Sequence, residues 1–135
     1  MRKTPSLLGT LCLIALPAFA QPVFEDGSPF RQGEGFGTPA TCGTIREWVD
    51  RVPDYDGRIS MVIEGAIDES HWDGALAYLI MCDDGPIQVM CVTYEERPAS
   101  SEPVLFAGGY NRVGETQVML DPCLPYPVDE TSVEQ

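Results

Sequence analysis

The sequence predicts a mainly β fold with one short N-terminal α-helix. Five segments between residues 59 and 120 have the alternation or the β-branched and aromatic content of strands, and clusters of Gly, Pro and Asp separate them. Only residues 41–52 carry apolar side chains at a helical period. We therefore expect one short helix followed by a series of paired strands.

The helix is expected over Thr41–Val52. Thr44 and Glu47 have the spacing of a capping box, in which each residue satisfies a backbone N–H of the first turn. The apolar residues lie at positions i, i+3, i+4 and i+7, which places them on one face: Ile45, Trp48, Val49 and Val52. Pro53 ends the helix, because its ring disfavours helical geometry at the preceding residue.

The strands are expected near residues 59–68, 75–82, 87–94, 104–110 and 116–120. Asp84-Gly85 is typical of a two-residue hairpin turn, which would place Cys82 opposite Ile87 and Cys91 opposite Tyr78. The Ser- and Pro-containing stretch 98–103 interrupts the chain between the third and fourth strands. The second and third strands therefore form a central hairpin.

Residues 58–122 resemble the OB-fold, a small five-stranded Greek-key barrel. The likeness is one of pattern: five strands in two hairpin-rich blocks, with Gly65 in the first strand and Gly108-Gly109 in the fourth, where coiled barrel strands would bend. It implies a closed barrel with a ligand face on the second and third strands. The alternative is an α+β domain of cystatin-like plan, in which an antiparallel sheet wraps a helix.

The first twenty residues predict export. Arg2 and Lys3 precede an uncharged run, and Ala18-Phe19-Ala20 provides the small residues that signal peptidase recognises, so we expect cleavage after Ala20 and a periplasmic or secreted product. The run is too short to span a membrane. The expected organisation is a signal peptide (1–20), a flexible Gly/Pro-rich arm (21–41), one disulfide-stapled β domain (42–124) and an acidic tail (125–135).

Four cysteines remain after Cys12 is removed with the signal peptide, and we expect two disulfides among them. In the expected hairpin, Cys82 and Cys91 are four residues apart along the ladder, roughly 13 Å, which disfavours pairing them with each other. The OB-fold resemblance makes the third and fifth strands neighbours. It therefore implies the pairs Cys91–Cys123 and Cys42–Cys82.

The net charge of the chain limits the classes of partner that it is expected to bind. Removing Arg2 and Lys3 from the eight basic residues leaves six against 21 acidic ones, a formal charge of 6 − 21 = −15. Such a chain repels nucleic acids and anionic lipids, so we expect neither nucleic-acid binding nor direct membrane insertion after cleavage. Asp54, Asp56 and Gly57 match only part of a calcium loop, and we expect no metal site, cofactor or catalytic residue.

The function we expect is that of an exported, non-enzymatic binding or accessory module with a protein partner in the periplasm or at the membrane periphery. One face of the central hairpin is too apolar for a solvated surface. Its candidate binding residues are Leu79, Met81, Met90, Val92 and Tyr94. The protein's own helix or arm could also cover this face. The alternatives are a small-molecule, glycan or divalent-cation binding protein, and a small periplasmic hydrolase.

Overall fold

A computed structural model describes residues 3, 9, 11–14 and 24–128. Over these residues the fold is mainly β, with one short helix and eight strands in one open mixed sheet. The elements are β1 (Phe30–Gln32), β2 (Ala40–Thr41), α1 (Ile45–Val49), β3 (Ile59–Ile67), β4 (Glu69–Trp72), β5 (Ala77–Met81), β6 (Gln88–Thr93), β7 (Ser100–Gly114) and β8 (Gln117–Pro127). Most of the expected signal peptide, including its cleavage site, lies outside the described residues.

The strand order is β1-β3-β7-β8-β6-β5-β4, with β2 pairing β3 as well. The pairs β6–β8 and β2–β3 are parallel, and the other pairs are antiparallel. Because the hydrogen-bonded order ends at separate strands, the closed OB-like barrel is not confirmed. The cystatin-like alternative requires an entirely antiparallel sheet, and the two parallel pairs do not fit it.

The sheet bends where β3 passes into β4. Only Asp68 separates these strands, yet β3 pairs with β7 and β4 pairs with β5. The Asp68 backbone N–H donates to the Ile80 carbonyl over 2.8 Å. A Cβ at Gly65 would lie 2.8 Å from Met81 Sδ, so the missing side chain lets β3 approach β5 closely. Residues 69–72, which lie between the expected first and second strands, form a strand because β5 provides their ladder partner.

The N-terminal segment is not a free arm from Phe24 onward. β1 and β2 both pair with β3, and Phe30 is fully buried, with its ring 5.1 Å from that of Tyr110 in an edge-to-face contact. The prediction of a flexible arm over 21–41 is therefore wrong for 24–41, because an aromatic anchor and the edge of β3 order a Gly- and Pro-rich stretch. Residues 21–23 lie outside the described residues.

At the other end, the domain continues past the expected boundary at residue 124. β8 runs to Pro127, and Pro125 is buried opposite Phe106 of β7. Likewise, the expected break at 98–103 is shorter than predicted, because β7 begins at Ser100. The expected tail therefore contributes its first residues to the sheet, and its residues 129–135 lie outside the described part of the chain.

The helix is shorter than expected, but its apolar face is as predicted. Ile45 and Val49 are buried in the core, and Trp48 and Val52 pack against it. The capping box does not form. Thr44 makes no side-chain cap bond to the helix, and its Oγ1 instead accepts from the Thr41 N–H over 2.9 Å.

Two disulfides link the sheet, with the pairing that the OB-fold resemblance implied. Cys42–Cys82 joins the approach to α1 to the end of β5, and Cys91–Cys123 joins β6 to β8, with Cα–Cα distances of 5.3 and 5.4 Å. Two disulfides fit an extracellular or periplasmic protein. Among the described residues, no helix has the length and apolar content needed to cross a membrane.

The register of the central hairpin differs from the expected one by one residue. Met81 pairs with Val89 and Tyr78 with Val92, so the connection between β5 and β6 is longer than a two-residue turn. In it, the Gly85 N–H donates to the Cys82 carbonyl, and Cys82 has a positive φ of 63°. A shift of one residue moves the side chains of one strand to the other face relative to its partner.

Candidate functional site: the outer face of the central hairpin

The five predicted binding residues do not share a face. Leu79 and Met81 are fully buried in the core, on the side of the hairpin that also carries Cys91. Met90 and Val92 lie on the opposite side, and Tyr94 follows β6 with 76% of its surface exposed. The prediction of one common surface is therefore wrong, because it depended on the two-residue turn.

The inner face of the hairpin is part of the hydrophobic core. It consists of three opposed pairs, none of whose residues is more than 1% exposed: Ala77 and Thr93, Leu79 and Cys91, and Met81 and Val89. The core cluster also includes residues of α1, β3, β7 and β8. This face is consequently unavailable to a partner.

The other side carries a set of apolar residues that we call the outer hairpin face: Tyr78, Ile80, Met90, Val92 and Met119. Tyr78 is opposite Val92, Ile80 is opposite Met90, and Met90 is beside Met119 of the parallel strand β8. Ile80 and Val92 are 7% and 8% exposed, and the other three are half-buried. Ile80 and Val92 therefore form an apolar centre that their neighbours already cover almost completely, and the part of the face open to a partner consists of Tyr78, Met90 and Met119.

Neither segment that the sequence offers as a cover packs on this face. The helix directs Ile45 and Val49 into the core cluster, and β1 and β2 lie along β3. The N-terminal segment does approach β5 through the Cys42–Cys82 disulfide, but Phe30, Ala40 and Cys42 belong to the core cluster or pack against it. The segment therefore packs toward the core rather than on the outer hairpin face.

Sequence reasoning missed Tyr78, Ile80 and Met119 as members of the surface. The alternation within β5 separates Tyr78 and Ile80 from Leu79 correctly, but it does not show which set faces the core. Met119 is adjacent only because β8 pairs in parallel with β6. That contact is between residues distant in the chain, and no local signal indicates it.

Polar groups surround the outer hairpin face. On β4, Glu69 is opposite Ile80 and His71 is opposite Tyr78, with His71 Nε2 3.3 Å from Glu69 Oε2. At the other end, the Gln117 side-chain amide donates to the Gln88 side chain over 2.9 Å. We call the polar side chains around the outer hairpin face its rim. The one histidine of the chain, His71, belongs to it.

Asp73 organises the corner between β4 and β5. Its Oδ1 accepts from the backbone N–H groups of Ala75 and Leu76 over 2.9 and 2.7 Å, and its Oδ2 accepts from the Tyr78 hydroxyl over 3.2 Å. The backbone N–H of Leu76, followed by that of Ala75, holds the pKa of Asp73 below its ordinary value. The Asp73 hydrogen bond and charge raise the pKa of Tyr78, and Asp121 adds to the effect.

The arginines are engaged elsewhere. Four of the six that follow the expected signal peptide form ion pairs: Arg46 with Asp50, Arg51 with Glu25, Arg58 with Glu34, and Arg97 with Glu95. Arg31 and Arg112 donate to backbone carbonyls. None of the six lies on β4, β5, β6 or β8. The strands of the outer hairpin face thus carry carboxylates without arginines.

The described residues give little support for a metal site or a catalytic site. Over these ranges, no group of three or more His, Cys, Asp or Glu side chains converges in a way that could hold a metal ion. A surface depression of about 400 Å³ is lined by residues 57–59, 109–111 and 121–122. It contains Arg58 and Asp121, but the contacts there define no catalytic pair.

The chain matches no protein-family model, and comparison with curated proteins and with solved structures finds no significant match.

Proposed function

We propose that this chain is an exported, non-enzymatic binding or accessory module that contacts a protein partner through the outer hairpin face. The observation that carries the proposal is the apolar character of a sheet face directed away from the core. A solvated strand face is ordinarily polar. Half-buried Met90 and Met119 suit contact with a partner, because methionine adapts to irregular surfaces.

The proposed site of action is the periplasm, reached through a signal peptide cleaved after Ala20. The basic head, the uncharged run and the small residues before Gln21 support cleavage. The two disulfides are compatible with an oxidising compartment.

We also propose that β3 to β8 form an OB-like barrel, in which β3 and β4 together make one bent strand. The parallel pair β6–β8 and the pairing of β3 with β7 support this topology. The approach of Gly65 to Met81, and the bond from Asp68 to Ile80, support closure between β3 and β5. Such a barrel would hold the outer hairpin face rigid.

The experiment is capture of the partner from native periplasmic extract by the mature, oxidised chain. We expect a stoichiometric partner that is retained by the wild type and lost from the Met90→Glu/Met119→Glu variant, since two charges would enter an apolar contact. The control is Val113→Glu, which adds one charge at a 47%-exposed apolar residue of β7. The control should retain the partner.

The proposal is overturned if the double variant captures the same partner as the wild type, or if the wild type elutes alone. Elution alone together with a calcium-dependent rise in melting temperature would instead support the divalent-cation alternative. Circular dichroism of each variant verifies that a loss of binding is not a loss of folding.

A further inference from the structure

We infer that the segment of the partner that docks on the outer hairpin face is cationic, with apolar side chains between lysines or arginines. This inference depends on the proposed function, because it names the chemistry of the partner at the same surface. The observation that supports the inference is the arrangement of carboxylates around the apolar centre.

Carboxylates lie on three sides of the apolar centre. Glu69 is directly opposite Ile80 on the edge strand β4. Asp73 accepts a hydrogen bond from the Tyr78 hydroxyl at the corner between β4 and β5. Asp121 lies two residues after Met119 on β8, and its charge contributes to the raised pKa of Tyr78. A cationic segment lying across β5 and β6 would therefore meet negative charge at both margins.

Among the described residues, no arginine forms an ion pair with Glu69, Asp73 or Asp121. Four of the six arginines of residues 24–128 pair with other carboxylates, and Arg31 and Arg112 donate to backbone carbonyls. Arg58, which pairs with Glu34, also lines the depression that contains Asp121. His71 of β4 lies 3.3 Å from Glu69. Lysine or arginine side chains of a partner would provide what this surface lacks, and their aliphatic stems would cover the apolar centre.

Two other occupants are disfavoured by the same charges. A second copy of the chain would bring another formal −15 after signal cleavage, and its own outer hairpin face would present carboxylates to carboxylates. An anionic lipid surface would also be repelled, since its attraction requires clustered lysine and arginine. A basic protein segment satisfies both the apolar and the electrostatic features.

The test uses the mature, oxidised chain and two short synthetic amphipathic peptides of identical spacing, one of Leu and Lys and one of Leu and Glu. Titration calorimetry should detect binding of the Leu/Lys peptide alone. The affinity should fall as salt rises from low to high concentration, because the Debye length shortens from about 10 Å at 0.1 M to about 3 Å at 1 M. Vesicles containing phosphatidylglycerol should not bind.

Non-specific attraction to an acidic protein is controlled with variants of equal net charge. Glu69→Gln/Asp121→Asn removes two carboxylates from the rim, and Glu47→Gln/Glu102→Gln removes two exposed carboxylates on α1 and β7. The rim variant should bind the Leu/Lys peptide about threefold to tenfold more weakly at low salt, as expected for two exposed ion pairs. The control variant should bind as the wild type does.

The results separate this inference from the proposed function. If both charge variants weaken the peptide equally, or if the Leu/Glu peptide binds as well, the cationic inference is overturned. The proposed function then still stands if Met90→Glu/Met119→Glu loses the captured partner. If that double variant retains both the partner and the Leu/Lys peptide, both conclusions fail.

Discussion

The two faces of the central hairpin have similar apolar composition but different surroundings. The inner face contributes Leu79, Met81 and Val89 to the core, where they are fully buried. The outer face carries Ile80, Met90 and their neighbours, some of which remain half-buried. Hydrophobicity alone does not distinguish the two faces, because β5 and β6 are apolar at almost every position.

The difference between the faces comes from what lies against each one. The inner face meets α1, β3 and β7 and is joined to β8 through Cys91–Cys123. The outer face is bordered by carboxylates and glutamines. The same strands therefore supply a core on one side and the proposed docking surface on the other.

The largest effect should come from removing the covalent link on the inner face. We expect Cys91→Ala/Cys123→Ala to lower the free energy of unfolding by about 4 kcal/mol, from the loop entropy of a 32-residue separation. Urea denaturation under non-reducing conditions measures this. An unchanged midpoint would mean that packing alone holds β6 to β8.

A smaller effect on the free energy of unfolding should distinguish the two faces. It is measured by truncating one residue on each face to alanine. Leu79→Ala should cost about 3 kcal/mol, because it opens a cavity at a fully buried site, and Met90→Ala about 1 kcal/mol, because Met90 is half-buried. Thermal and urea denaturation of both variants provide the comparison. Equal costs would contradict the assignment of the two faces.

The smallest effect concerns the pKa of Tyr78. Asp73→Asn should lower the raised pKa of Tyr78 toward its ordinary value of 10.0, because it removes the charge that accepts the hydroxyl hydrogen bond. Phenol absorbance, taken as the difference from Tyr78→Phe, follows this titration. Asp84→Asn, in the exposed connection between β5 and β6, is the control and should leave Tyr78 unchanged.

The same carboxylate contributes to stability in a defined pH range. The pKa of Asp73 is lowered in the folded state, so its stabilising contribution is present above its ordinary value of 3.8 and is lost as pH falls through the folded pKa. The wild type should therefore lose stability more than Asp73→Asn does as the pH is lowered below about 4. Parallel acid titrations followed by circular dichroism would detect this.

Local sequence features predicted much of the element plan. Alternation located β3 almost to the residue, and the stripe of Ile45, Trp48 and Val49 identified the helix. The strands β1 and β4 were missed because their partners are distant in the chain: Phe30 is ordered by Met61, and Glu69 by Ile80. Short segments become strands when an edge is available to them.

The candidate site was only partly predictable. Of the candidate binding residues, Met90 and Val92 lie on the face directed away from the core cluster, whereas Leu79 and Met81 are fully buried in it. The error arose in the connection between the strands, where the longer loop containing Cys82 replaced the expected turn at Asp84-Gly85. A change of one residue in loop length reverses the facing of a strand relative to its partner.

The sequence by itself determined the mainly β class, the set of four cysteines that follow the expected signal peptide, and the strongly acidic charge. These follow from local periodicity and composition. The disulfide pairing was implied only by the OB-fold resemblance, and the structure shows it. Only the tertiary structure decided the hairpin register, the packing of residues 24–41 along β3, and the position of Met119 beside Met90. Each of these results from contacts between distant residues, whose energies depend on burial and on which edges are free, and no local window of sequence contains them.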